Sequence, residues 1–407
     1  MDSQKPDHFN SQSSELQWIE SKDARTDEEI ITSLHGYIPV TSEKNVWAFW
    51  DKGFSRMPFW NQRNVISWVR RLGPSWTVRV LDLVEDSPVN IAKYVDSSHF
   101  PDAFNNKTMT GPHVGPHSSD LVRLPCLFLY GGIWVDVGMI LFRHLDDLCW
   151  NDLNDPKSEH EMSAFSIEFR PAIGTIFNGF IAARKENGFI KRWHDIFKEV
   201  WKDRNDSTDM HTHPLFQHLP GFQPPVQKLE ATDLTVTYGQ FLDYLSHNLC
   251  FERLIHLQDP SDGWDGVGYN EKHILWFDAM QETYYAQKLT GWDGRKQFDL
   301  LATMKIDVVH DEKFKEAEAF VEDVMAHSAT MKLSHGLPSS KEYLAVIWDK
   351  DSTGVIDNAA GSFAEYIRYG SVHFEQTRSL TPLVVPPTTD TILKGRVVNA
   401  VGPKFGS

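Results

Sequence analysis

An aspartate and an arginine three residues apart, Asp120 and Arg123, lie in a stretch whose apolar spacing predicts a helix over 118–130. Residues three apart on a helix face the same way. The carboxylate accepts hydrogen bonds from hydroxyls, and the guanidinium donates to sugar or phosphate oxygens. Such a pair can bracket an oxygen-rich ligand, or it can simply be a salt pair on a helix surface. Gly131-Gly132 then turns the chain into a predicted strand, 133–137, that carries Asp136 near its carboxyl end, with Gly138 next. An acid there can meet a ribose hydroxyl or a metal, or it can be an ordinary turn residue.

Other groupings carry less. Asp262 and Asp265 flank Trp264 in a Gly/Asp-rich loop and suit acceptor binding or a general base, or else a simple turn. His211, His213 and His218 stand in a polar stretch with Pro214 and read as solvent-exposed. His113 and His117 precede the Asp120 helix and are candidates for a pocket rim. Cys126, Cys149 and Cys250 are far apart and odd in number, which predicts buried free thiols. There is no Walker P-loop, no GxSxG, no HExxH and no GxGxxG.

The elements that must position these residues alternate. A strand is predicted over 45–50, a helix over 61–72 stopped by Gly73-Pro74, and a strand over 76–81. A helix follows through Val95, then a loop over 100–117, then the Asp120 helix. Further strands are expected at 139–145, 163–169 and 177–183, and a helix at 186–201. This order implies an α/β fold with a parallel sheet, whose ligands sit beyond the carboxyl ends of the strands. Later helices are expected near 239–249, 278–289, 312–327 and 358–369. Residues 1 to about 22 read as a polar tail, and Thr26 with Glu29 as a capping box opening a short helix. From Thr377 the chain reads as extended.

Composition excludes several classes. With 40 Lys+Arg against 56 Asp+Glu, the net charge of −16 disfavours nucleic acid and anionic membranes as partners. The opening MDSQKPDHFNSQSSELQ has no apolar core of a secretory signal, and no apolar run is long enough for a transmembrane helix. A cytoplasmic chain is the expectation.

Taken jointly, Ser-Asp-x-x-Arg followed by Gly-Gly-x-aromatic-x-Asp resembles the core of glycosyltransferases with a sugar-binding DxD motif. That group includes the fungal mannosyltransferase-like family, the capsular polysaccharide synthesis proteins and, more distantly, the large clostridial glucosylating toxins. The resemblance runs over residues 44 to 200. It implies a GT-A-like, Rossmann-type mixed sheet flanked by helices, with a mainly helical C-terminal acceptor region. It also implies transfer of a hexose from a UDP- or GDP-sugar to a hydroxyl acceptor, with retention of configuration. By the same resemblance Asp120 and Arg123 hold donor sugar hydroxyls, Asp136 meets ribose or metal, and Trp134 packs on the donor. Phe49 and Trp50 would lie beside the base, and Asn178 near the donor sugar. The chain then divides into a tail and short helix (1–43), a donor-binding region (44–200), an acceptor-binding and closing region (201–376) and an extended tail (377–407).

The pattern breaks at Gly138, where the family carries a second, metal-binding aspartate. A Mn²⁺ or Mg²⁺ ion would ordinarily neutralise the diphosphate. Three readings stay open: another ligand, basic residues in place of the metal, or a non-catalytic sugar-nucleotide-binding protein. A nucleotide-sugar hydrolase is a further competitor. His335-Gly336 followed by Lys341 resembles the segment that closes over the diphosphate in some GT-A enzymes, which would make His335 a metal ligand and Lys341 a phosphate contact. Family members that build cell-wall glycans carry a membrane anchor. The lack of one here suggests a small lipophilic metabolite or a glycan precursor as acceptor.

Overall fold

A computed structural model describes residues 9–170, 173–222, 236–306, 311–336, 342–388 and 390–399. Its strands run in chain order as β1 (Leu16–Trp18), β2 (Asn45–Phe49), β3 (Thr77–Leu81), β4 (Gly132–Val135), β5 (Met139–Leu141), β6 (Met162–Arg170), β7 (Ile173–Ala183), β8 (Leu257–Asp259), β9 (Trp264–Asp265), β10 (Ile274–Asp278), β11 (Thr330–Lys332), β12 (Phe374–Gln376) and β13 (Leu393–Lys394). Six of them form the central mixed sheet, in the order β10-β6-β7-β4-β2-β3. β2 lies parallel to β3 and β4, so these three strands end on the same edge. β7 runs antiparallel to both β4 and β6, and β10 is parallel to β6.

Local sequence explains these elements. β2 is buried at every position, as a strand covered on both faces must be. The Phe59–Leu72 helix turns Val65, Ile66, Val69 and Leu72 inward and ends at Gly73, whose φ of 64° suits a residue without a side chain. The Gly188–Val200 helix is capped by Asn187, whose side chain accepts from Ile190 N at 2.9 Å. Its Phe189, Ile190, Trp193, Ile196, Phe197 and Val200 are all fully buried. Each such side chain contributes about 1.5–3 kcal/mol relative to exposure. The capping box of Thr26 and Glu29 forms, opening the Asp27–Leu34 helix. The three cysteines are free and buried.

The structure departs from expectation in four places. From residue 9 onward the N-terminal segment is docked: β1 pairs antiparallel with β12, and Phe9 is buried against Tyr366 and Tyr369. The stretch before Val95 holds only a short 3-10 turn, Ile91–Lys93, because Asp82 and Asn90 bridge and draw the segment along the end of β3. The C-terminal segment is docked: β13 pairs with β8, and buried Arg253 donates to the carbonyls of Arg396, Val397 and Asn399. Finally, β10 and β11 come from beyond residue 200 yet pair with strands that precede it, β10 in the central sheet and β11 antiparallel to β5. The division at residue 200 is therefore not a division of the sheet. No described helix is long and apolar enough to cross a membrane.

Candidate functional site

The carboxyl ends of β2, β3 and β4 define one edge of the sheet, and the Val114–Tyr130 helix runs into the amino end of β4. Gly131 caps that helix and Gly132 starts β4. At Gly132, with φ of 111°, a Cβ would lie 2.4 Å from the Asn45 carbonyl, so only glycine permits the turn. The turn sets Asp120 and Arg123 above the strand that carries Asp136.

Asp120 and Arg123 pair at 2.8 Å, and both are at least nine-tenths buried. Asn178, on β7, donates from Nδ2 to Asp120 Oδ1 at 3.1 Å, and its carbonyl accepts from Arg123 Nη1. The same Nδ2 lies 3.2 Å from His247 Nδ1. Burial alone would raise the Asp120 carboxyl, but Arg123, with His247 and His117, overrides it and holds the group down at about 2. Burial pushes His247 down to about 3, so its ring is neutral.

Asp136 anchors the other half. Its Oδ1 accepts from Trp134 Nε1 at 2.9 Å and lies 3.8 Å from Arg123 Nη2. Its Oδ2 pairs with Lys332 Nζ at 2.7 Å. Burial opposes the charge of Asp136, yet Lys332 and Arg123 still depress its pKa. Gly179 makes this approach possible, since a Cβ there would fall 2.7 Å from Asp136 Oδ2. The turn after Asp136 is clamped from the Phe59–Leu72 helix: Asn64 Nδ2 donates to the Val137 carbonyl and Trp68 Nε1 to that of Met139, each at 2.9 Å. Gly138 accepts from Leu333 N at 2.7 Å. The more open side of the cluster is at Asp136 and Lys332, whose side chains keep 24% and 13% exposure.

Residues 6–221 match the family described as capsular polysaccharide synthesis protein. The chain is also 52% identical over 381 residues to the O-glycosyltransferase braB of Annulohypoxylon truncatum, covering 92% of this chain and 90% of that one. It is 50% identical over 380 residues to the glycosyltransferase afumC of Aspergillus fumigatus, covering 92% and 97%. With the O-glycosyltransferase PaGT of Phomopsis amygdali it shares 40% identity over 366 residues, 89% of each chain. The chain belongs to the capsular polysaccharide synthesis protein family. Its relatives are named glycosyltransferases over most of its length, and glycosyl transfer is the activity this family member carries. Among solved structures it is similar to one titled PaToxG Glycosyltransferase at 19% identity and a TM-score of 0.28, covering 42% of this chain and 65% of that one, a likeness too slight to argue from.

Within this glycosyltransferase the remaining candidates are placed unequally. Trp134 is fully buried beneath Arg123, 5.0 Å from its ring, so it braces Asp136 and Arg123 rather than offering a free face. Phe49 sits in the core at the end of β2. Trp50 follows it, and its buried Nε1 has no hydrogen-bond partner among the described residues. Asp262 pairs with Arg192 at 2.6 Å, and Asp265 accepts from Gln258 at 3.3 Å, on the β8–β9 hairpin. Neither shares a partner with the Asp120–Asp136 cluster. His335 pairs with Asp349 at 2.6 Å beside Trp60. Asp349 lines a separate cavity of about 280 Å³ with Arg56, Phe59 and Trp60. Lys341 lies outside the described residues. His117 is buried, 3.4 Å from Asp120, and His113 packs against Tyr244. His211, expected in solvent, is instead half-buried, bonding Asp243 at 2.6 Å.

Three participants were not legible in the sequence. Lys332 stands three residues before His335, and it is Lys332 that reaches Asp136. His247 carries no local motif. Tyr244 lies close enough to both carboxylates that burial, with Asp120 and Asp136, raises its hydroxyl to about 12, leaving a neutral donor. The one available signal was Gly138, at the position where the resemblance implies an aspartate.

Proposed function

We propose that this glycosyltransferase moves a hexose from a UDP- or GDP-sugar to a hydroxyl oxygen, on a GT-A-type arrangement, with retention of anomeric configuration. The observation that carries the reading is the constellation of buried Asp120 and Arg123 with half-buried Asn178 and Asp136 at the carboxyl edge of the parallel strands. Charged acceptor and donor groups fixed in a low-dielectric site suit a hydroxyl-rich ring and a diphosphate. Asp120 accepts sugar hydroxyls while Arg123 and Asn178 hold it in place. Trp50, with its unpartnered Nε1 at the strand edge, suits a nucleobase, because an unmet buried donor costs about 1–3 kcal/mol until a ligand or water meets it. The word O-glycosyltransferase in two relatives' names favours an oxygen acceptor.

Retention follows from proton bookkeeping. Asp120 is held at about 2 and Asp136 is also depressed, which makes both poor bases. The acceptor's proton is therefore best taken by the departing diphosphate oxygen. The bond from C1 to that oxygen breaks as the bond from C1 to the acceptor oxygen forms, on one face of the sugar. A small lipophilic metabolite or glycan precursor is the proposed acceptor class.

The test is a thermal-shift titration with UDP, GDP and their sugars, followed by product anomer analysis by NMR. Stabilisation by one nucleotide family, abolished in Asp136→Ala, supports the reading. Binding without transfer to any acceptor would favour a non-catalytic sugar-nucleotide-binding protein. Inverted product would remove the retaining step.

A further inference from the structure

The family resemblance implies a divalent cation at Asp136, and the residues present do not fit one. Both carboxylate oxygens of Asp136 already have partners, Trp134 on Oδ1 and Lys332 on Oδ2. Position 138 offers no side-chain oxygen and has no room for one. A Cβ there would lie 2.8 Å from the Leu333 carbonyl oxygen and 3.7 Å from Lys332 Nζ. The strand that carries Lys332 closes the space an aspartate would need. Among the described residues, the grouping able to hold a metal is Asp209, His211 and Asp243, without Asp136. The oxygens of Asp243 there are engaged by the backbone N–H groups of Asp209 and His211 and by the His211 ring.

We propose that Lys332 stands in for the divalent cation, so that the donor's diphosphate is bound and stabilised without a metal. Charge arithmetic supports the exchange. An aspartate with a dication carries one net positive charge, and a glycine with a lysine carries the same. The electrostatic balance of the site is kept while both partners change. Geometry supports it too. Lys332 is pinned by its strand pairing with β5, by Lys332 N donating to the Thr283 carbonyl at 2.9 Å, and by Gln287 Nε2 donating to the Lys332 carbonyl at 2.5 Å. Its ammonium lies 5.6 Å from the Phe177 ring centroid. An ammonium has three donors, and the pairing with Asp136 uses one, leaving others for phosphate oxygens. A cation held this firmly needs little reorganisation as charge grows on the leaving group.

The inference rests on the nucleotide-sugar reading above, and the experiment separates the two. Affinities of UDP, GDP, uridine and guanosine for the full chain are measured by calorimetry in EDTA and in Mn²⁺, for the wild type, Lys332→Met and Lys332→Arg. In the wild type EDTA should change the nucleoside diphosphate affinity by less than about twofold, since no metal contact is lost. Lys332→Met should weaken the diphosphate about 30-fold, the scale of a charge-assisted hydrogen bond, and the nucleoside by less than about threefold. Mn²⁺ should not rescue it, and Lys332→Arg should retain most of the affinity. Binding lost in EDTA and restored by Mn²⁺ in the wild type overturns the proposal, even if the methionine variant fails to fold. Equal weakening of nucleoside and diphosphate in Lys332→Met overturns it as well, by showing a structural role. If neither nucleotide binds in either condition, the donor reading itself fails and takes this inference with it.

Discussion

The two halves of the site are built by opposite means. The Asp120 half is local: Asp120 and Arg123 sit on one helix, and Asn178 meets them from the adjoining sheet. The Asp136 half is assembled at long range, from a strand end, a turn clamped by Asn64 and Trp68, and Lys332 on a strand nearly two hundred residues later. A position whose partner comes from a distant strand can change together with that partner, whereas two residues on one helix turn are bound to a shared spacing. Arg123 faces the carboxylates of both halves, at 2.8 Å from Asp120 and 3.8 Å from Asp136.

Removing that shared residue should have the largest effect. Arg123→Ala leaves buried Asp120 and half-buried Asp136 short of a partner, which should cost about 3–5 kcal/mol in urea melts and lower turnover at least about a hundredfold. A cost no larger than that of a surface substitution would mean the halves are independent and the site is not one unit. An aspartate placed at position 138 probes the long-range half. Gly138→Asp should destabilise by about 3 kcal/mol, the upper end for overpacking, because the Leu333 carbonyl blocks its Cβ. It should gain no stimulation by Mn²⁺. A stable, Mn²⁺-dependent Gly138→Asp enzyme would make this half an interrupted metal site instead.

The local half should show its charge in acid. The Asp120 pKa is depressed in the folded protein, from an ordinary 3.8 to about 2. Its stabilisation is thus present above about pH 4 and is lost as the pH falls through about 2, a contribution of about 2 kcal/mol. Denaturant midpoints measured from pH 6 downward should fall more steeply in the wild type than in Asp120→Asn across that window. Parallel curves would show that Arg123 does not hold the carboxylate charged.

Legibility divided along the same line. The helix spacing of Asp120 and Arg123, the glycine turn and the strand end at Asp136 are properties of adjacent residues, and periodicity exposes them. The strands β2, β3, β6 and β7 were equally visible from their apolar runs. β10, with ILWFD, is as long as β2 but stands outside the alternating strand and helix run, and pairing with the edge of β6 makes it a strand. β1 was taken for tail because its partner, β12, lies at the far end of the chain. Lys332 was invisible for the same reason: nothing near it in sequence calls for a cation, and the acid it answers is Asp136. His335 carried the right residue type in the right segment, but Asp349 claims it.

The smallest effect should come from a pair that sequence alone ranked as a candidate. Asp262 and Arg192 meet at 2.6 Å, with side chains 43% and 25% exposed, and Arg192 stacks over Trp264 at 4.5 Å. An ion pair this open to water is worth about 0–1 kcal/mol. Asp262→Asn should therefore shift the melting curve slightly and leave kcat and donor affinity unchanged, because no partner of Asp262 belongs to the Asp120–Asp136 cluster. A large loss of kcat with donor affinity intact would instead put the β8–β9 hairpin at the acceptor, and the site would then have a third part besides the two halves compared above.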